Sequence, residues 1–421
     1  MIHDRDELSR WRHARRYAVP RWMIERSAER RLAGDWQGAC AAAAVDVAFD
    51  PALAEKDPAL ADDLRHLVPE LLRWHLPRSG NGAGTLGTHH HVTLARYGDT
   101  ELQAFTPELS EGPQRLKLDL VPADEDDDPY MITQVDWTSA RHFWDARHTA
   151  ALGGATDASL PDRVLMDAGL LTPDDLHPLV REGLCPGLPP GASGPPEPAL
   201  PEPVRVRCGG VWHQVVSGGG SLQLEHGVDE QRRERAMRAL GGAVSGCFAV
   251  EQSWTSGEGR LPRRLRAQRW ALFLHAQHGD TPAVLRLLDA GVDPRVRDGR
   301  QRSLLHLLHL VDHTVLLPRL LAAGLDVNGE DYRERTPLLH AVASYGSPAL
   351  VDALRAAGAR IDVTDWEDWS LADLIRRRRR RDLVALRDEI ERDHPGIGVG
   401  YVNYDDDDDD DHGDDHGDDD D

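Results

Sequence analysis

One pattern returns along the last third of the chain at almost constant spacing. DGRQRSLLHLLH begins at Asp298, DYRERTPLLHAV at Asp331 and DWEDWSLADLI at Asp365, with starts 33 and 34 residues apart. An Ala-Gly pair precedes each of them, at 290–291, 323–324 and 357–358. A fourth, earlier unit, containing WALFLHAQHGDTPAVLRLLDAG, begins near Leu265. Self-similarity at this period marks a stack of small helical units that bury their apolar faces against neighbours. LLHLLHLV with LLPRLLAAG, and LLHAVA with LVDALRAAG, are such helix pairs, and the glycine that follows each second helix is a C-cap.

Residues 265–393 resemble the ankyrin repeat, whose unit opens its first helix with T-P-L-H-x-A. Thr336, Pro337, Leu338 and Ala341 fall on that pattern, and in the preceding unit Ser303 stands for Thr while His306 takes the histidine place. The third unit departs, with Leu339 at the histidine position and His340 one residue late. The last, SLADLI, is poorer, as befits a terminal cap. The resemblance implies an all-α solenoid that binds another protein through projecting fingers and the inner helix face. The finger tips are Arg300, Gln301, Tyr332, Arg333, Trp366, Glu367 and Trp369, rich in the aromatic and Arg types that dominate interfaces. Trp366 and Trp369 have an alternative use, packing the cap against the preceding unit. His275, His306, His309 and His340 read as ordinary polar residues of stacked helices.

The rest of the chain gives a fold class. Residues 1–185 form an α+β region: helices through about residue 75, with DWQGACAAAAVDV as the second arm of a hairpin. Short strands follow in THHHVTLARYG, ELQAFT and QRLKLDLV, then an acidic loop at 123–129 and two further helices. Eight prolines between Pro186 and Pro203 make 186–203 a semi-extended linker. In 204–256, VRVRC, VWHQVV and SLQLEH read as strands, DEQRRERAMRALGG as a helix and GCFAVEQSW as another strand, in the same domain as 1–185 or a small one of its own. The expected whole is α+β: a mixed helix and strand region, the repeats, and a disordered Asp-rich tail at 394–421.

Charge and composition exclude several function classes. The net charge is −23, and thirteen aspartates lie between Asp405 and Asp421, leaving a mildly acidic body of −10 that repels nucleic acid and anionic membranes away from local basic patches. Only Lys56 and Lys117 are Lys among 49 basic residues, which suggests a high-GC bacterial genome. No stretch is long and apolar enough to span a membrane, and MIHDRDELSRWRHARR lacks a signal-peptide core, so a cytoplasmic location is expected. Cys40, Cys185, Cys208 and Cys247 are widely spaced with no CxxC, which argues against a disulfide framework or a cysteine-based zinc site.

No catalytic motif or cofactor motif stands in a supporting context. Neither lysine lies in a P-loop, and HExxH, GxSxG and the kinase signatures are absent. GAGTLG, Gly82 to Gly87, matches a dinucleotide fingerprint but precedes a strand pattern rather than opening a helix. His89 and His91 share a strand face, yet a metal would need a third ligand such as His213 or His142. RWRHARRYAVPRWMIERSAERR interleaves arginines with Trp11, Tyr17 and Trp22, a composition that suits either single-stranded nucleic acid or a charged helix face with buried rings.

Finally, Arg376, Arg377, Arg378, Arg379, Arg380 and Arg381 occupy the end of the first helix of the last unit and the turn to its second, a place for an anion or for the chain's own aspartate tail. The resulting expectation is a protein-interaction module without a catalytic site. An unrecognised enzyme in 1–256, with repeats that recruit its substrate, and a nucleic-acid-associated regulator are the alternatives.

Overall fold

The computed structural model describes residues 5–80, 82–123, 132–154, 160–189 and 193–400. The aspartate run and most of the acidic loop lie outside those residues; of the disordered tail expected at 394–421, residues 394–400 are described, with Ile397 against the repeat core and the Val399 amide donating to Asp373 at 3.1 Å.

The chain begins with helices α1 (Arg5–Tyr17), α2 (Arg21–Leu32) and α3 (Trp36–Ala42). Asp35 starts α3 by accepting a hydrogen bond from the Gly38 amide. The expected continuation of α3 through VDV does not occur. The helix stops at Ala42, Ala44 is left-handed, and Val45–Val47 becomes strand β1, since two valines fit a pleated surface better than a helix end. Short helices α4 (Ala52–Lys56), α5 (Pro58–His66) and α6 (Pro69–His75) lead to β2 (His90–Tyr97), β3 (Thr100–Phe105), β4 (Leu116–Pro122) and β5 (Thr133–Asp136). The sheet order is β1-β4-β3-β2-β5. Antiparallel hairpins pair Val92 with Ala104 and Ala104 with Leu118, while the edge strands β1 and β5 run parallel to their neighbours. Helices α7 (Pro161–Asp167) and α8 (Pro178–Leu184) complete this region.

Its core runs from Ala18 to Val180 and includes Leu71, Trp74, Leu94, Leu102 and Trp144. Two arginines are buried in that region, and one of them, Arg15, belongs to the basic N-terminal stretch. Buried Arg15 donates to both carboxylate oxygens of buried Asp162, at 2.6 and 2.9 Å, and lies over the Trp74 ring. Arg73 donates to the carbonyls of Ala18 and Gln114 at 3.0 and 2.6 Å. A guanidinium so buried is tolerable only with its donors satisfied.

A second, three-stranded sheet follows: β6 (Val204–Cys208), β7 (Val211–Gly218) and β8 (Ser221–Leu224), in that order and antiparallel. After helix α9 (Val228–Ala239), GCFAVEQSW is helix α10 (Gly246–Ser256), not the expected strand. Cys247, Val250 and Trp254 recur three and four residues apart on one buried face, a helical period that its β-branched and aromatic content obscured.

Helices α11 (Arg263–Gln277) and α12 (Thr281–Asp289), a 3₁₀ turn at Leu304–Leu307 with α13 (His313–Ala322), α14 (Pro337–Ala343) with α15 (Pro348–Ala356), and α16 (Leu371–Arg377) with α17 (Val384–Asp393) form four helical pairs. Their core is continuous with Val204, Val206, Val215, Leu222, Val250 and Trp254, so the small sheet and α10 pack with the repeated units. No described helix is long and apolar enough to cross a membrane.

Candidate functional site: fingers and a covered groove

The aspartate that leads each unit ties a finger. Asp298 Oδ1 accepts from the amides of Arg300 and Arg302, Asp331 Oδ1 from Arg333 and Arg335, and Asp365 Oδ1 from Glu367 and Trp369, all at 2.8–3.1 Å. Gln301, Glu334 and Asp368 hold the same left-handed place in the three turns. Adjacent fingers are joined by backbone bonds from Tyr332 to Arg300 and from Trp366 to Arg333, at 3.1 and 3.0 Å. The carboxylate is thus what stabilises a tight turn at this position in each unit.

The finger residues then divide. Tyr332 and Trp366 are 51% and 56% exposed, and the Arg333 guanidinium lies over both rings, 5.3 and 5.7 Å from their centroids. Glu367 is exposed beside them. Trp369 instead packs partly buried on the core with Arg377 over its ring at 4.5 Å. Of the two uses open to the tryptophans, Trp366 projects and Trp369 packs.

Arg300, at the first finger, is already engaged: it forms an ion pair with Glu111 of the N-terminal region. Gln301 directs its amide toward Glu258, at 3.4 Å. Glu111 belongs to a loop that runs along the ends of the first helices of successive units. Its carbonyl accepts from His309 Nε2 at 2.9 Å, and the carbonyl of Ala83 accepts from His278 Nε2 at 2.9 Å. A Cβ at Gly112 would stand 3.6 Å from the Ser344 carbonyl. The Trp22 indole donates to Asp280 at 2.8 Å, and Asp280 also accepts from His275, whose ring meets Tyr17 edge-on at 4.8 Å. Tyr17 and Trp22 of the basic stretch therefore face the repeats.

His275, His278 and His309 are accordingly more than stacked-helix fillers. Burial holds His278 at a pKa of about 3 and His309 at about 4, so both rings are neutral donors to the N-terminal carbonyls at neutral pH. Burial works to raise Glu111, but Arg302 and Arg300 outweigh it and keep the carboxylate below its usual range. Spacing alone could not have singled out His278 and His309, because their partners lie almost 200 positions away.

GAGTLG also serves this contact. Gly84 is left-handed, and a Cβ there would meet the Arg10 carbonyl at 2.8 Å and the Ala14 amide at 2.9 Å, so the glycine permits α1 to lie on the loop. The loop packs against a helix side rather than opening a helix. In the sheet, Glu101 accepts from Thr93, Arg96 and Gln103 at 2.7–2.9 Å. Its burial would raise the carboxyl, yet those bonds hold it below the usual range, ionised and occupied.

The arginine run is divided in the same way. Arg380 is buried, donates to Gly346 at 2.8 Å and is paired with Asp382 at 2.7 Å. Arg376 pairs with Glu391 at 2.6 Å, and Arg378 is half-buried with its charged form disfavoured mainly by burial. Arg377, Arg379 and Arg381 are exposed.

Among the described residues, the weighed combination of His89 and His91 with His213 or His142 does not form a ligand group. His91 packs on Phe105, and His142 on Phe143. Among the described residues, side chains of the ligand type converge elsewhere, at Cys208, His213, His226 and Cys247. Two of the four widely spaced cysteines thus come together, because strand pairing and the packing of α10 supply the proximity that a CxxC would have supplied locally.

Comparison with known proteins agrees with the finger geometry. The family model for ankyrin repeats matches residues 272–365 in three copies. The ADP-ribosylation factor GTPase-activating protein AGD2 of Arabidopsis thaliana is 32% identical over 123 residues, which cover 27% of this chain. The chain spans only 15% of the length of that relative. Residues 272–365 of this chain are ankyrin repeats.

Proposed function

We propose that the chain is a protein-interaction module whose repeats form a solenoid with two uses: one end holds the N-terminal region and the other takes a protein partner. Ankyrin repeats generally mediate protein binding. The observation that carries the reading is the contrast between Arg300, committed to Glu111, and the Tyr332–Arg333–Trp366 ladder, whose two rings are exposed with the half-buried guanidinium between them. Two aromatic rings bridged by a guanidinium suit apolar groups and a carboxylate on the partner, and the neighbouring Glu367 suits a basic group. Binding in the cytoplasm of a bacterium fits the composition.

Capture of partners by the full chain, followed by titration of the partner recovered, tests this. Replacing Tyr332, Arg333 and Trp366 by Ala together is expected to weaken binding by at least about 2 kcal/mol, some thirtyfold, if these are hot-spot residues. Tyr332 and Trp366 are exposed and Arg333 is half-buried against their rings, so an unchanged fold by circular dichroism is expected. Undiminished affinity in that folded variant refutes the assignment of the finger ladder.

The aspartate run lies outside the described residues; we assign it the exposed Arg377, Arg379 and Arg381 as a loose intramolecular partner. Tethering places it there at an effective concentration of the order of millimolar. Truncation after Asn403 should then raise non-specific binding of anionic polymers at low salt, and no change would leave the run a solubilising tail.

A further inference from the structure

Cys208, His213, His226 and Cys247 place one sulfur or nitrogen each so that all four atoms lie within 4.8 Å of one another. We propose that these four side chains form a structural zinc site that fastens the small sheet to helix α10. The inference is independent of the partner-binding reading.

The sheet builds three of the ligands by register. Val206 pairs with His213, which puts Cys208, two residues beyond Val206, on the same face as His213. Val215 pairs with Leu224, so His213 and His226, each two residues further out, extend that pairing on the same face. Val204, Val206, Val215 and Leu222 fill the remainder of this face with buried apolar contacts. The strands thus end in a polar cluster where an apolar core stops. The fourth ligand, fully buried Cys247, comes from the first turn of α10. Gly246 lets it approach: the residue is left-handed, and a Cβ there would stand 2.4 Å from Cys208 Sγ.

The distances suit a small tetrahedral ion. His213 Nδ1 is 2.9 Å from His226 Nε2 and 3.7 Å from Cys247 Sγ. Zinc bonds of about 2.3 Å to sulfur and about 2.0–2.1 Å to nitrogen separate tetrahedral ligand atoms by roughly 3.3–3.8 Å, so small adjustments centre an ion among the four. The other nitrogen of His226, Nδ1, is 3.0 Å from Glu230 Oε2 in the first turn of α9. This fixes the ring with Nε2 facing the cluster, as outer carboxylates do for metal-bound imidazoles. Two sulfurs and two imidazoles select zinc among common divalent ions. With four protein ligands the site has no open position, so its role is structural. Binding replaces the two thiol protons, which leave to solvent, and the two thiolates then balance the dication.

All four cysteines are free thiols, so an oxidised Cys208–Cys247 bond is the rival arrangement. The full chain, purified without chelator, is assayed for metal by mass spectrometry, and its thiols are counted after denaturation in a metal chelator. The expected result is about one zinc per chain with all four thiols titratable. Replacing zinc by cobalt should give the sulfur-to-metal charge-transfer and intense visible bands of a tetrahedral thiolate site. The C208S/C247S double variant should lose the metal and the bands, while C40S/C185S keeps both. Glu230→Gln should weaken zinc binding about tenfold or more. Because the double variant can fail to fold, the unaltered chain is the deciding sample. A folded chain that takes up neither zinc nor cobalt, or that yields only two titratable thiols, overturns the proposal.

Discussion

The two ends of the repeat stack are built alike and dressed differently. At the amino-terminal end, Trp254 is fully buried, Arg300 is paired with Glu111, and His278 and His309 donate to N-terminal carbonyls. At the carboxy-terminal end, Trp366 stands in solvent with Arg333 over its ring. The same Asp-led turn supports a finger in both places. The repeat signature therefore specifies the scaffold, while contacts far away in sequence decide which part of the scaffold is free.

The sharpest contrast is between the two tryptophans. Trp254→Ala removes a fully buried ring shared between α10 and the repeat core, and should destabilise the chain by about 3–5 kcal/mol in denaturant unfolding. Trp366→Ala should cost less than about 1 kcal/mol. Equal losses would mean that the two ends are not distinct.

A smaller effect separates the ends by pH. Docked, His278 and His309 remain neutral down to about 3 and about 4; released into water, each ring titrates near its ordinary 6.5. Lowering the pH from 7 to 5 therefore lets the released state bind protons that the docked state excludes. The stabilisation is complete above about 6.5 and is lost as the pH falls, by about 2 kcal/mol per ring at pH 5. Hydrogen exchange of segments 82–86 and 108–114 should quicken at pH 5, after correction for intrinsic rates, whereas finger 364–369 should not respond. Acid-insensitive protection of the first two segments would refute this role for the histidines.

The smallest change is expected for Glu111→Ala. Its ion pair with Arg300 is half-exposed on both sides, worth about 0–1 kcal/mol, and the Glu111 carbonyl still receives His309. A loss of several kcal/mol would move the anchor of this loop from backbone to side chain.

What the sequence disclosed follows the range of each signal. The units were legible because Asp298, Asp331 and Asp365 recur with their helices, and the carboxylate bonds that tie each finger turn stay within five residues. Strands β2 to β4 announced themselves by alternation. Helix α10 did not, because valine, phenylalanine and tryptophan in eleven residues imitate a strand until the spacing of Cys247, Val250 and Trp254 is weighed. The tips Tyr332 and Trp366 could be named, but that Arg300 is occupied could not, since Glu111 is 189 positions away. The Cys208–Cys247 cluster was hidden for the same reason: no two of its members are as close as a CxxC, and it takes strand register together with the packing of α10 to assemble them.

The central claim is that the N-terminal region is itself a ligand of the repeats. It is tested by placing a specific protease site between Leu188 and Ser193, cutting the folded chain there, and running the two pieces on size exclusion at pH 7.5 and pH 5. The contacts of Trp22, Ala83 and Glu111 predict one joint peak at pH 7.5, at micromolar concentration, and partial separation at pH 5. Two separate folded pieces at pH 7.5 would contradict the account.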